Sequence, residues 1–289
     1  MRRKYGRRSG CSGFTLVELA IVMTIIGLII GGVLKGQELL RNARVTATIA
    51  QVKSYEAAVQ TFWDKYGFFP GDMPTADVRI PSCTAACAPP PGSAATGVPG
   101  DTTVGSRTWA SVGAWGPQSG TGASALQGTT NVGDETVLFW THLSVADLIT
   151  GIAANISLAG GPAAWSMTHP ASRLGGGFVA GQGDGTAGPG GAVAGVIGPT
   201  GLVLMLVLSP TAAPAAAVPL AGLQPVTPSR AGQLDRKMDD GRPAGGFVQA
   251  YGVTTSCFNT TAAGFSATSP GYLETVKSND CGLIFRIQG

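Results

Sequence analysis

Gly13-Phe14-Thr15-Leu16-Val17-Glu18-Leu19 leads directly into an uncharged apolar run that lasts to Leu34. Before it stand Arg2, Arg3, Lys4, Arg7 and Arg8, with no acidic residue among them. As a helix at ~1.5 Å per residue, residues 14–34 reach about 31 Å, enough to cross the hydrocarbon core of a bilayer. One carboxylate, Glu18, lies near the start of that span. At bilayer depth an acidic side chain costs roughly 2.5–3.5 kcal/mol on insertion scales, and more without a partner. A chain that keeps it has a use for the charge. An ordinary secretory signal is cut beyond its apolar core at small residues, and Lys35-Gly36-Gln37-Glu38 does not offer that site. Cleavage ahead of the core keeps the span on the mature chain. Positive charge upstream puts the leader in the cytoplasm and the rest of the chain outside.

This arrangement of Gly13, Phe14 and, at the fifth position from the cut, Glu18 resembles the cleavage and methylation segment of type IV prepilins and type II secretion pseudopilins. The resemblance covers the first fifth of the chain. It implies removal of residues 1–13 by a prepilin peptidase/methyltransferase, N-methylation of Phe14, and polymerisation through residues 14–34. It also implies that Glu18 of an incoming subunit pairs with the Phe14 amine of a neighbour. In low dielectric such a pair specifies position more than it adds stability. The implied fold is α+β and pilin-like, one long N-terminal helix packed on a small antiparallel β-sheet head with long Gly/Pro-rich loops. The implied partners are other pilin or pseudopilin subunits, the inner-membrane assembly machinery and the membrane itself. The implied location is the bacterial inner membrane with a periplasmic head, then a pilus or pseudopilus. The family's frequent proline within the first helix has no counterpart here, since the first proline is Pro70. Gly27 and Gly31 would permit close helix approach. If the helix opens on assembly, Gly31, Gly32 and Gly36 are the place, each weakening it by ~1 kcal/mol.

Hydrophobic content of 44% and charged content of 12% suggest a structured, weakly charged chain. Of 289 residues, 44 are Gly and 19 are Pro, which requires much loop and irregular strand. The net charge of +3 is a leader effect: five of the 19 Lys+Arg lie in residues 1–13, leaving 14 against 16 acids, or −2. The basicity is therefore a topogenic signal, and no nucleic-acid surface is inferred. Of five Cys, Cys11 is in the leader. The remaining four can pair in three ways. Cys257 and Cys281 flank a C-terminal hairpin, and Cys83 and Cys87 share a Pro-rich loop, which points to those two disulfides; free thiols are the alternative. An even count beyond a membrane span favours an oxidising compartment.

Past residue 34 the pattern changes without a break. Val45, Ile49, Val52, Tyr55, Val59, Phe62 and Tyr66 recur at steps of three and four, an amphipathic stripe that predicts packing on a head. Gly67 is a C-cap and Pro70 blocks continuation. Residues 14–66 thus read as one helix of roughly 80 Å, its membrane part 14–34 and its amphipathic part 35–66, with 67–289 as the head. Residues 68–74 form a rigid turn, and Trp109 and Trp115 anchor a small-residue loop region. Residues 134–150 read as a second helix stopped by Gly151. Residues 160–200 are Gly/Ala-dense loops with short strands. Residues 201–209 are a continuous apolar run of strand length, a central strand buried on both faces. Residues 212–228 read as a surface connection, 231–240 as a short helix, and 246–251 and 281–287 as strands.

No catalytic constellation is present: no phosphate loop, nucleophile elbow or Cys/His pair. His142 and His169 lack any motif around them. Asp235, Asp239 and Asp240 form the one acid cluster, read as turn or cap chemistry, with calcium as the weaker alternative because the spacing is not that of an EF-hand. The expected function is a non-enzymatic filament subunit. The alternative class is a monomeric, membrane-anchored extracytoplasmic binding protein.

Overall fold

The computed structural model describes residues 14–83, 87, 100–104, 135–152, 164–184, 200–208, 224–252, 256–259 and 271–287. The leader with Cys11 and Gly13, Trp109, Trp115 and residues 209–223 lie outside the described residues. The chain forms two compact units, Met1–Arg44 and Val45–Gly289. The first contributes the beginning of helix α1, Leu16–Tyr66, in which the apolar side chains from Leu16 to Leu34 are exposed.

In the second unit, α1 buries Val45, Val52, Tyr55, Val59, Phe62 and Tyr66, with Ile49 packed against the same core. The three–four stripe is therefore the core face. Thr48 and Ala58 join it. Tyr55 sits at the centre, edge-on to Trp140 at 5.1 Å and to Phe178 at 5.5 Å. Gln51 anchors the helix by donating to the Ala171 carbonyl at 2.7 Å.

Four strands make one antiparallel sheet: β1 Gly177–Asp184, β2 Thr200–Val207, β3 Val248–Gly252 and β4 Cys281–Arg286, in the order β1-β2-β4-β3. The alternation of side chains sorts β2 into two faces. Leu202, Leu204 and Leu206 join Phe178, Leu283 and Phe285 in the main core. Val203, Met205 and Val207 join Val179, Tyr251 and Ile284 on the opposite face, with Trp165 against them. A strand covered on both sides needs no polar face, which is why residues 201–209 read as unbroken apolar sequence. Gly282 leaves room for the Tyr251 ring, which a Cβ there would overlap, and the Tyr251 hydroxyl donates to the Leu206 carbonyl at 2.7 Å.

Among the described residues the head also has three short helices: α2 Ala76–Arg79, α3 Glu135–Val145 and α4 Pro228–Met238. The one-turn α2 follows directly on the turn expected at residues 68–74. Helix α3 ends before Gly151. Asp147 adopts φ 58°, its N–H donates to Ser144 and the Leu148 N–H to Leu143, a six-to-one closure that Asp tolerates in place of Gly. Helix α4 begins at Pro228, three residues ahead of the sequence expectation, because proline at a first helical position gives up an N–H that has no helical partner anyway. Just before it, Val226 is fully buried and exchanges backbone hydrogen bonds with Cys281, so this end of the expected surface connection belongs to the sheet. The disulfides join Cys257 to Cys281 and Cys83 to Cys87. The first closes the loop between β3 and β4.

Candidate functional site: the N-terminal segment

Phe14 is 88% exposed and helix α1 begins two residues beyond it. A helix start leaves backbone N–H groups unpaired, and here Thr15 and Glu18 answer one another. The Thr15 N–H and hydroxyl both donate to Glu18 Oε2 at 2.9 Å, and the Glu18 N–H donates to Thr15 Oγ1 at 3.2 Å. This is a reciprocal capping box, whose signature in the sequence is Thr-x-x-Glu before an apolar run. It explains how a carboxylate sits at the head of a greasy helix before any partner arrives: the helix terminus supplies hydrogen bonds to the charge. Glu18 remains exposed, along with the apolar side chains that follow. Among the described residues one helix, Leu16–Tyr66, is long and apolar enough to cross a membrane.

The acid cluster lies elsewhere, at the end of α4. Asp235, Asp239 and Asp240 can each bring a carboxylate oxygen within 4.8 Å of the others. Their oxygens already face donors. Asp235 accepts from the Tyr272 hydroxyl at 2.7 Å and the Gly241 N–H at 3.2 Å; Asp239 accepts from the Phe247 and Val248 N–H groups, and Asp240 from the Arg242 N–H at 2.8 Å. Four of the six carboxylate oxygens thus accept from protein donors, whereas a calcium ion takes six to eight oxygens of its own. The cluster shapes the turn into β3. Asp235→Ala is expected to cost about 1–3 kcal/mol by stranding the Tyr272 hydroxyl, and added calcium to leave the Tm unchanged, both readable by thermal unfolding.

His142 and His169 are buried. His142 Nδ1 accepts the Gly71 N–H at 2.9 Å, so Nε2 carries the proton and donates to the Cys87 carbonyl at 2.9 Å. The ring stacks on Phe62 of α1 at 6.1 Å. Gly71 itself (φ 91°) lies against the Glu135 carbonyl, where any Cβ would overlap. Its neighbour Asp72 accepts the N–H groups of Gly100, Asp101 and Thr102. His169 Nδ1 meets the Thr168 hydroxyl at 2.8 Å. Burial depresses both imidazoles to about 4. A depressed histidine withholds stability as pH falls from the unfolded value near 6.5 towards 4, because the unfolded chain then binds the proton first. Burial raises Asp72 and Asp235 to about 6, and these act with the opposite sign, favouring the fold at low pH and losing that as pH rises through 6. Between pH 4 and 6 the two pairs offset. The histidine NMR signals of the folded chain are therefore expected to stay flat from about pH 8 to 5, whereas the unfolded chain titrates near 6.5.

Residues 8–34 match the family described as Prokaryotic N-terminal methylation motif. Neither a curated protein nor a solved structure matches the chain. The architecture, a long N-terminal helix whose amphipathic part packs on a four-stranded antiparallel sheet, is α+β and pilin-like. The chain carries the prokaryotic N-terminal methylation motif, which is typical of type IV prepilins and pseudopilins. An apolar N-terminal helix with that motif fits anchoring in the inner membrane before assembly.

Proposed function

We propose that the chain is a structural subunit, a pilin, minor pilin or pseudopilin, of a type IV pilus or type II secretion pseudopilus. The match of residues 8–34 to the methylation motif carries this reading. The pilin-like head and the apolar helix that the motif opens support it. In this reading a prepilin peptidase cuts between Gly13 and Phe14 and the new amine is methylated. Residues 14–34 first hold the subunit in the inner membrane, with the basic leader cytoplasmic and the head, residues 67–289, periplasmic. Assembly machinery then transfers the helix from lipid to a bundle of like helices, where its exposed apolar surface is buried again.

Glu18 guides that transfer. Its exposed carboxylate, held by the Thr15 cap, is available to the charged Phe14 amine of a neighbouring subunit. The protein is then a substrate of processing enzymes and has no catalytic role of its own. The mass of the mature N-terminal peptide tests the reading. A peptide starting at N-methylated Phe14 is expected; a start beyond residue 34, or a retained leader, would overturn it.

A further inference from the structure

Beside the Asp72 tie to residues 100–102, the turn leaving the long helix is tied to α3 through an imidazole, and that imidazole is tied to a disulfide. Gly71 donates to Nδ1 of His142, and the other nitrogen of the ring donates to the carbonyl of Cys87. Cys87 is buried and bonded to Cys83, which is partly exposed and whose own N–H donates to Ile80 just after α2. The disulfide closes a loop with a sequence separation of only 4. So small a ring removes little chain entropy from the unfolded state; its consequence is positional. We propose that the Cys83–Cys87 disulfide is a redox latch: oxidised, it holds the Cys87 carbonyl on His142 and so fixes the turn at Gly71; reduced, it frees that carbonyl and loosens the turn. This inference does not rest on the filament reading.

The chemistry is an ordinary thiol–disulfide exchange. In closing, one cysteine thiolate attacks an oxidising protein disulfide, and the second displaces that protein from the mixed disulfide. Two protons and two electrons leave the cysteine pair, and the oxidant becomes a dithiol. In opening, a thiolate of dithiothreitol attacks the sulfur of the partly exposed Cys83 and Cys87 leaves as thiolate; the second dithiothreitol thiolate then attacks its partner sulfur in the mixed disulfide, closing its own ring and releasing Cys83 as thiolate. Cys257 and Cys281 are fully buried, so the outer pair is the one a reductant reaches first.

The test uses the full chain in detergent. Dithiothreitol is added until alkylation and peptide mass show Cys83 and Cys87 free and Cys257–Cys281 intact. Amide exchange at Gly71 and ring N–H exchange at His142 are then read by NMR. Both are expected to speed up about tenfold on reduction, the loss of one well-made hydrogen bond. Unchanged exchange in fully reduced protein overturns the latch. Coupling must also run backwards. His142→Asn can keep an acceptor towards Gly71 with Oδ1, but its amide ends one atom short of Nε2 and so places no donor at the Cys87 carbonyl. In that variant Cys83–Cys87 should be reduced about tenfold more readily at equilibrium with dithiothreitol, by the same factor. A wild-type midpoint in the variant overturns the latch independently.

Discussion

A Glu18→Gln chain is expected to be cut, to enter the membrane and to fail at polymerisation. Glutamine preserves the shape and part of the Thr15 cap but removes the charge. Under the proposed mechanism each subunit buries the ammonium of Phe14 against a neighbour's carboxylate. Deleting one member of a buried ion pair costs about 3–5 kcal/mol, because the other is left charged and unpaired. That is roughly two to three orders of magnitude in each subunit's affinity for the growing end. The head should be untouched, since Glu18 is exposed and belongs to the first of the two compact units. Filament yield read against head unfolding separates the two effects. Normal filaments from the variant would discard the register role of Glu18. A wild-type chain that never polymerises would leave the membrane-anchored binding protein as the better description.

The second large effect lies in the head. Phe62→Ala is expected to destabilise it by about 3–5 kcal/mol, the range for emptying a fully buried aromatic site. Phe62 has no exposed surface, and its ring meets Tyr66 at 4.6 Å and His142 at 6.1 Å. The substitution therefore opens a cavity where α1, α3 and the turn at Gly71 converge. Gln60→Ala, two residues away on the exposed side, should stay within about 0.5 kcal/mol of the parent. Denaturant unfolding of the two variants measures the contrast. Equal stability would mean that the stripe on α1 is not the core of the head.

Several elements were legible because one local rule decided each. The stripe from Val45 to Tyr66 follows from helical period, and the strand at 201–209 from an apolar run too short to span a membrane. Cys257 and Cys281 bracket the loop between β3 and β4, which makes their bond readable from position. Other features depended on contacts between distant residues. The early stop of α3 at Asp147 and the start of α4 at Pro228 are backbone solutions that several neighbouring residues could have supplied. His142 carries no motif because its partners are two backbone groups, which leave no trace in residue identity. The acids 235, 239 and 240 read as turn or cap chemistry from their spacing; which N–H groups they accept from, those of Gly241, Arg242, Phe247 and Val248, depended on where the chain returns into β3.

By itself the sequence determined the N-terminal segment, its charge asymmetry, its apolar length and its lone acid, because a methylation motif and an apolar span are each read from one contiguous stretch. It also determined which face of the long helix is buried, since burial follows a period. Tertiary structure alone decided the strand order β1-β2-β4-β3, the second buried face of the sheet, and the tie from Gly71 through His142 to Cys87. Those depend on segments far apart in the chain meeting at hydrogen-bonding distance, and no local pattern encodes where a distant carbonyl will be.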